Sequence, residues 1–343
     1  MKYSIGVLGS GSFGTAIASL AAHNSDILLY SRHASVIEEI NTTHSHLGYK
    51  LSPNIKAIDS LEELAQSCKL IFLAVPSANF REMMKAFAPY LSPEHFLIHC
   101  TKGFDTNFEL DGNTELNINR SDFHLISDVI KQESSVIRIG VLSGPNLAKE
   151  IMVGKPTASV IFSDFDEVIS AGIKALSSEY FAVFGSYEMV GAEIAGALKN
   201  VIAIGAGILK GKDLGKNIEA VLINRGMVDM IALGQKLGST PKAFLGTAGM
   251  GDLICTATSK DSRNYKFGLL LGSGKSIPEI LDETDELAEG YRTAWIVEGL
   301  SKSLGITLPI FSTIYKVLYK DYPIDSAIKF LMKFPNYTDV DFI

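Results

Sequence analysis

The sequence predicts a doubly wound α/β domain over residues 1–187, followed by an all-α domain over residues 188–343. Short, almost continuously apolar runs alternate with helical patterns up to about Ser186, which is typical of parallel strands that are covered on both faces by helices. From about Tyr187 onward the apolar residues follow a helical period, without a strong strand signal. A length of 343 residues is enough for two domains of ordinary size.

The elements of each domain are assigned from the period and length of their apolar runs. Strands are predicted at Tyr3–Leu8, Ile27–Tyr30, Leu70–Val75, Phe96–His99 and Ile137–Leu142, with two further strands at Pro156–Phe162 and Phe181–Phe184. Helices of the first domain are predicted at Phe13–His23 and Ser60–Gln66. Helices of the second domain are predicted at Glu188–Lys210, Ile218–Leu237, Ser262–Leu271, Ala294–Leu304 and Ile310–Leu318. Residues 105–122 are polar and lack a clear period, so we expect a surface loop or insertion there.

The composition excludes several classes of protein. Apolar residues make up 47% of the chain and charged residues 20%, which is enough to build sizeable cores and argues against disorder or a collagen-like fibre. The formal net charge of -7 argues against general binding to nucleic acid or to anionic membranes. This net charge does not exclude binding of a small anionic ligand, because a single pocket can be locally basic.

The cysteines and histidines do not form the spacings of a disulfide framework or a metal site. The three cysteines are far apart and include no CxxC pair, so reduced thiols in the cytoplasm are expected. His44 and His46 lie on a polar stretch without an HExxH arrangement, and no GxSxG motif surrounds a serine. The N-terminus lacks the pattern of a signal peptide, and the longest uncharged apolar stretch elsewhere, Val201–Leu209, is too short for a membrane span. We therefore expect a soluble cytoplasmic protein without a metal.

A glycine-rich motif follows the first predicted strand. Gly9, Gly11 and Gly14 have the GxGxxG spacing and lead directly into a predicted helix, which is the context that a dinucleotide-binding site of Rossmann type requires. Gly9 permits the tight turn, Gly11 permits close approach of a pyrophosphate, and Gly14 permits close packing of helix on strand. An ordinary glycine-rich turn between a strand and a helix is the alternative interpretation.

The residues after the second predicted strand bear on cofactor choice. An NAD-preferring site usually has an acidic residue there for the ribose hydroxyl, but this chain has Arg32 and His33. Arg32 can bind a 2′-phosphate, so NADP(H) is favoured over NAD(H). The alternative is that Arg32 is a solvated cation that stacks on the adenine.

Lys199 is the most informative single residue. Across Ile194–Leu209 it is the only ionisable side chain, and Asn200 is the only other polar one. The many Gly and Ala residues of this helix indicate tight packing, so Lys199 is expected to be buried. Removal from water disfavours the ammonium form, which lets a buried lysine exchange a proton near neutral pH.

Other polar residues are placed where they can complete a site. Lys102 and the segment Ser143–Asn146 each follow an apolar strand, at the edge where α/β sheets bind ligands. Asp252 ends a glycine-rich turn and can pair with Lys199, although a helix N-cap is the simpler interpretation of that residue alone. Ser262, Arg263 and Asn264 form a hydrogen-bonding triplet that can bind phosphate or cap a helix, and Glu289–Arg292 can be only a turn.

These segments together resemble the bacterial-type NAD(P)-dependent glycerol-3-phosphate dehydrogenases over nearly the whole chain. The matching segments are GSGSFGTA (9–16), LAVPS (73–77), TKG (101–103), SGPNLAKE (143–150), LKNVIAIGAG (198–207), AGMGDL (248–253), SRN (262–264) and EGYRT (289–293). The resemblance implies a Rossmann-type domain followed by a helical domain. It also implies interconversion of sn-glycerol 3-phosphate and dihydroxyacetone phosphate in phospholipid synthesis, and it is compatible with a homodimer.

The resemblance also implies roles for individual residues. Lys199 is expected to be the proton acceptor or donor, with Asn200 and Asp252 positioning it. The substrate positions of the family fall on Lys102, Gly144, Asn146, Lys199, Asp252, Ser262, Arg263 and Asn264. The cofactor positions fall on Ser12, Phe13, Arg32, His33, Lys102, Ala148, Arg263, Leu287 and Glu289, in addition to the three glycines of the fingerprint.

The chain departs from the family pattern at several positions. Asn146 stands where the family usually has Thr, and Leu147 replaces Phe. Leu287 replaces Val, Thr293 replaces Asn, and the segment between Lys102 and Gly144 is longer than usual.

Two other functions are compatible with the sequence. One is that of a related lysine-dependent reductase of a small hydroxy acid, and the other is that of a module that binds NADP(H) without turnover.

Overall fold

The computed structural model describes residues 5–106, 120–283 and 288–333. The chain divides into two compact units, Met1–Asp105 with Leu125–Glu193, and Thr106–His124 with Ile194–Ile343. The first unit is α/β and the second is predominantly helical, so the predicted fold class is confirmed.

The described strands form one large sheet and two small sheets of two strands each. In chain order the described strands are β1 (Ile5–Leu8), β2 (Ile27–Tyr30), β3 (Ser45–His46), β4 (Tyr49–Lys50), β5 (Ile55–Ile58), β6 (Leu70–Leu73), β7 (Phe96–His99), β8 (Asp105–Thr106), β9 (Phe123–His124), β10 (Arg138–Ser143), β11 (Thr157–Ser163) and β12 (Phe181–Ser186). The large sheet has the order β12-β11-β10-β7-β6-β1-β2-β5. Its strands are parallel from β5 to β10, β11 is antiparallel to β10, and β12 is parallel to β11.

The order of strands fixes where ligands can bind. The chain first builds outward from β1 through β2 to β5, and then returns to add β6, β7 and β10 on the other side of β1. Ligands of such sheets bind at the carboxyl ends of the strands, next to this point of reversal. The loops after β1, β2, β7 and β10 are therefore the places where ligand-binding residues are expected.

Helices cover the sheet of the first unit. They are α1 (Ser12–Ala21), α2 (Ala34–Thr43), α3 (Leu61–Ser67), α4 (Phe80–Phe87), α5 (Ile126–Glu133), α6 (Ala148–Met152) and α7 (Asp166–Leu176). The core is built from the apolar strands and from the small residues of α1; Val7, Leu29 and Phe72 are fully buried. At about 25 cal/mol per Å² of buried apolar surface, this burial is the main favourable term of the unit.

The second unit consists of helices packed around the long helix α8 (Met189–Gly211), which begins in the first unit. The other helices are α9 (Lys216–Lys236), α10 (Lys242–Leu245), α11 (Asp252–Thr258), α12 (Arg263–Gly272), α13 (Ile277–Asp282), α14 (Glu289–Ser303), α15 (Pro309–Tyr319) and α16 (Ile324–Met332). Among the described helices only α8 is long and apolar enough to cross a membrane, and its apolar window is wholly buried in the molecule, as in the core helix of a soluble protein.

Several predicted elements differ in detail. The strand predicted at Leu70–Val75 ends at Leu73, and that predicted at Ile137–Leu142 runs over Arg138–Ser143. The edge strand β5 was missed because Lys56 interrupts its apolar run.

None of the three cysteines forms a disulfide, and burial raises the pKa of the Cys68 and Cys100 thiols to about 12.

The expectation of a surface loop at residues 105–122 is wrong at its first residue. Asp105 is buried, and Arg81 of α4 donates to its carboxylate from Nε and Nη2 at 2.8 and 2.7 Å. Thr106 accepts a hydrogen bond from Nη2 of Arg292 at 3.0 Å. Residues 107–119 lie outside the described part of the chain.

Candidate active site

A buried cluster in the helical unit contains Lys199, Asp252 and Thr256, which we call the lysine cluster. The exposed fractions of these residues are 4%, 1% and 6%. The Lys199 ammonium donates to Oδ1 of Asp252 and, at 2.6 Å, to Oγ1 of Thr256. The expected burial of Lys199 and its pairing with Asp252 are thus both present.

The local structure of α11 explains how Asp252 and Thr256 reach the same lysine. A π-helical turn over Thr247–Gly251 leads into the helix, and Asp252 is its first residue. The helix has no side-chain N-cap hydrogen bond, so Asp252 does not serve as the cap that was considered from the sequence. Thr256 is four residues further on and therefore lies on the same helix face.

Asn200, beside Lys199, lies where three helices approach each other closely. A Cβ atom on Gly290 at the start of α14 would lie 2.5 Å from the carbonyl oxygen of Asn200 and 2.9 Å from Oδ1 of Asn264. The Gly290 N–H also donates to Oδ1 of Asn264 at 2.8 Å. The glycine is required here because any side chain would push α14 away from α8 and α12.

The remaining candidates of the helical unit have distinct positions. Ser262 is the N-cap of α12, and its Oγ accepts from the Tyr265 N–H at 3.2 Å. Arg263 is exposed at the first position of that helix. Glu289 begins α14, so the segment considered as a turn is helical. Leu287 lies outside the described residues.

In the α/β unit the glycine motif forms the predicted turn between β1 and α1. Gly9 has φ +113, and a Cβ atom there would overlap the carbonyl oxygen of Ala74. A Cβ atom on Gly14 would overlap the carbonyl oxygen of Gly9, so helix and strand pack as closely as expected. At Gly11 an added Cβ atom would meet no described atom within 4 Å. The loop thus has the tight turn and the open face that the motif predicts.

The other candidates of this loop region lie in exposed or half-exposed positions. Ser12 and Phe13 are the first residues of α1. Arg32 and His33 follow β2, are both exposed, and approach each other through Nε and Nε2 at 3.3 Å. An exposed arginine and imidazole at this strand end can both reach a phosphate.

Lys102 and the Ser143–Asn146 turn come together at the carboxyl ends of β7 and β10. The Lys102 ammonium donates to the carbonyl oxygen of Gly144 at 3.1 Å. The Asn146 amide donates to Oγ of Ser159 at 3.0 Å, while its Oδ1 is buried and has no hydrogen-bond partner among the described residues. Ala148 begins α6 directly after this turn. The arrangement provides a cation and a buried acceptor at the sheet edge.

Thr256 is a functional candidate that sequence reasoning missed. The signal that could have found it is the i, i+4 spacing from Asp252 on one helix. A cluster that joins an amine, a carboxylate and a hydroxyl in a buried position can hold and transfer a proton.

Two family models match the chain in succession. The N-terminal model of the NAD-dependent glycerol-3-phosphate dehydrogenases covers residues 4–168, and the C-terminal model of the same family covers residues 188–329. The chain belongs to this family.

Curated relatives agree with the family models. A protein of Acinetobacter baumannii named glycerol-3-phosphate dehydrogenase (NAD(P)+) is 38% identical over 344 aligned positions, which cover 99% of this chain and 92% of the relative. A protein of the same name from Saccharophagus degradans is 36% identical over 345 positions, with the same coverage of 99% and 92%.

Solved structures extend the likeness to the fold. The crystal structure of glycerol-3-phosphate dehydrogenase from Coxiella burnetii matches with a TM-score of 0.85 at 28% identity, covering 97% of this chain and 99% of that one. A ketopantoate reductase from Ralstonia eutropha matches with a TM-score of 0.56 at 12% identity, covering 96% and 99%. The second likeness concerns the fold alone.

The glycerol-3-phosphate dehydrogenase family takes a nicotinamide dinucleotide, and the α/β unit fits that group. Space is open above Gly11, and the N-terminus of α1 has no side-chain cap. Backbone N–H groups in this position bind phosphate, because they lack partners within the helix and lie at its positive end. The described residues contain no group of three or more His, Cys, Asp and Glu side chains that could hold a metal ion.

Proposed function

We propose that this protein interconverts sn-glycerol 3-phosphate and dihydroxyacetone phosphate with a nicotinamide dinucleotide, and so supplies glycerol 3-phosphate for phospholipid synthesis. The observation that carries the proposal is the lysine cluster, a buried ammonium held by a carboxylate and a hydroxyl. The cluster holds a proton donor and proton acceptors together away from water, which suits a group that exchanges a proton with the substrate. The family membership supports the choice of substrate.

The nicotinamide, when bound, supplies hydride transfer to or from the substrate carbon. Lys199 moves the accompanying proton. In reduction its ammonium gives a proton to the developing alkoxide, and in oxidation the neutral amine takes the proton of the hydroxyl. Asp252 stabilises the ammonium form, and Thr256 orients it through its hydroxyl oxygen. Asn200 is assigned as the neighbouring positioning residue.

The dinucleotide is assigned to the α/β unit. The backbone of Gly9, Gly11 and Gly14 and the first residues of α1, Ser12 and Phe13, would hold the pyrophosphate. Arg32 and His33 would bind a 2′-phosphate, so we propose NADP(H) as the preferred cofactor, with NAD(H) also accepted. Lys102, Ala148, Arg263, Leu287 and Glu289 complete the proposed cofactor set.

The substrate phosphate is assigned to Arg263 and Asn264. Arg263 is exposed at the N-terminal end of α12, where its planar guanidinium and the helix dipole both favour an anion. Lys102, Gly144, Asn146 and Ser262 complete the proposed substrate set, together with Lys199 and Asp252. A cytoplasmic location and a homodimer are proposed from the family resemblance.

A substrate panel tests the function directly. Purified protein should oxidise NADPH, followed at the nicotinamide absorbance band, when dihydroxyacetone phosphate is added. Dihydroxyacetone without phosphate and 2-oxo acids of similar size should give little or no oxidation. Turnover of a 2-oxo acid in preference to the phosphate ester would establish the rival reductase, and binding of NADPH without any turnover would establish the rival binding module.

Arg263→Ala separates the phosphate site from the proton transfer. We expect the KM for dihydroxyacetone phosphate to rise about 10- to 100-fold, since a charge-assisted hydrogen bond of this kind contributes about 1.5–3 kcal/mol. Lys266→Ala, an exposed cation one turn further along the same helix, is the matched control. An unchanged KM in Arg263→Ala rejects the assignment of the phosphate to this residue.

A further inference from the structure

A buried histidine contacts the backbone of the glycine loop. His46 lies in β3, and 6% of its surface is exposed. Its Nε2 is 3.0 Å from the carbonyl oxygen of Ser10, and its Nδ1 is 2.9 Å from Oε2 of Glu39 on α2. No residue role assigned so far uses this side chain.

The two contacts determine the protonation state in which His46 makes both of them. A backbone carbonyl only accepts hydrogen bonds, and so does an ionised carboxylate. Both contacts are hydrogen bonds when both ring nitrogens of His46 donate, which is the imidazolium form. The carboxylate of Glu39 stays in contact with water, since 42% of its side chain is accessible. In the imidazolium form His46 pairs with Glu39 and also holds the backbone of the loop.

The contact with Ser10 fixes the direction of the next N–H group. The described chain contains no cis peptide, and in a trans peptide the C=O and the following N–H point in opposite directions. When the Ser10 carbonyl is held toward His46, the Gly11 N–H points to the opposite side of the peptide plane. The Ser10 carbonyl also accepts from Oγ1 of Thr15 at 3.3 Å, which supports the same orientation.

We propose that His46, as the imidazolium, is a positioning residue for the dinucleotide: it turns the Ser10–Gly11 peptide so that the Gly11 N–H faces the pyrophosphate and adds a positive charge behind the loop. This inference rests on the proposed binding of the dinucleotide at the glycine motif. It predicts that affinity for the dinucleotide falls when the side chain at position 46 can no longer donate to the Ser10 carbonyl.

The charged and titratable groups that the described residues place around His46 lie on α2 and on the hairpin of β3 and β4. Glu39 faces it from α2, and Tyr49 is its cross-strand partner on β4. His44 and Lys50 lie on the same hairpin and are exposed. The loop Gly9–Gly14 brings no titratable side chain. Glu39 is therefore the carboxylate that contacts the ring of His46.

The test measures the dissociation constant of NADH by its fluorescence, at one fixed pH. His46→Leu, which cannot donate to Ser10, should bind NADH about 10-fold more weakly than wild type. His46→Gln, whose side-chain amide can donate to the same carbonyl, should recover part of that loss. His44→Gln, an exposed histidine of the same hairpin, should bind NADH as wild type does.

A second variant keeps the proposal testable if His46→Leu does not fold. Glu39→Gln changes a side chain that is 42% accessible, so the protein should remain folded, and NADH should bind more weakly because the carboxylate no longer holds the ring of His46. If His46→Leu and Glu39→Gln both keep the wild-type dissociation constant, the role of His46 is refuted while the cofactor site stands. If wild-type protein binds neither NADH nor NADPH, the proposed cofactor site itself fails.

Discussion

The helical unit buries two aspartates in opposite surroundings. Asp252 on α11 is 1% exposed and contacts the ammonium of Lys199. Asp229 on α9 is 4% exposed, and its Oδ2 accepts from the backbone N–H groups of Ile310 and Phe311, at 2.8 and 3.2 Å. One carboxylate thus faces a cation, while the other accepts from the N-terminal turn of α15.

The difference shows what a cation adds to a buried carboxylate. Burial raises the pKa of Asp229 from 3.8 to about 7, and the two backbone hydrogen bonds only partly oppose that rise. Asp252 has the same kind of side chain, but it is part of a buried charge pair with Lys199. We infer that Asp229 has a structural role with a pH-dependent cost, whereas Asp252 has a role in proton transfer.

Among substitutions of Asp252, Asp229 and Thr256, Asp252→Asn should have the largest effect, and the effect should be on kcat. The change leaves a buried ammonium without its carboxylate, which costs about 3–5 kcal/mol in comparable pairs unless the amine gives up its proton. Without its partner the amine of Lys199 is no longer held as the proton donor, so kcat for reduction of dihydroxyacetone phosphate at neutral pH should fall about 100-fold. A kcat close to that of the wild type would contradict the pairing.

Asp229→Asn should affect stability and its dependence on pH. Because the pKa of Asp229 is raised, the folded state holds a proton that the unfolded chain loses between about pH 4 and about pH 7, so its contribution to stability is lost as pH rises through that range. The asparagine variant lacks this loss. Relative to wild type, its free energy of unfolding should gain about 2–3 kcal/mol between pH 5 and pH 8, as followed by urea unfolding. A constant difference across that range would show that Asp229 does not titrate there.

Thr256→Val should have the smallest effect. The substitution keeps the shape of the side chain and removes one hydrogen bond to Lys199, so kcat should fall about 10-fold. Thr258→Val is the matched control, because Thr258 is on the same helix but is exposed and donates to a backbone carbonyl of its own helix. Equal activity of the two variants would remove Thr256 from the cluster.

Much of this fold could be predicted because its signals are local. The apolar runs indicated the buried strands, and the spacing of Gly9, Gly11 and Gly14 indicated the turn into α1. Lys199 stood out because it was the only charge in an apolar helix. The strand β5 was not predicted, since a single lysine in a short edge strand removes the continuous apolar signal.

The contacts that complete the site are long-range, and only some of them could be predicted. The pairing of Lys199 with Asp252, 53 positions apart, was predicted from the chemistry of the two side chains, whereas the contact of His46 with Ser10, 36 positions apart, had no signal in the sequence. Ser262 and Asn264 were expected to bind substrate, but their side chains also make structural hydrogen bonds, to Tyr265 and Gly290. The cap formed by Ser262 was one of the two interpretations that the sequence offered, whereas the contact of Asn264 with Gly290 depends on the packing of α12 against α14.

Chemical rescue shows whether the amine of Lys199 moves the proton. Lys199→Ala, folded and binding NADPH as wild type does, should lose about 10²–10⁴-fold in kcat and regain part of it when small primary amines are added. Lys210→Ala, on the same helix but at its partly exposed end, should need no rescue. Full activity of Lys199→Ala without added amine would show that another group transfers the proton.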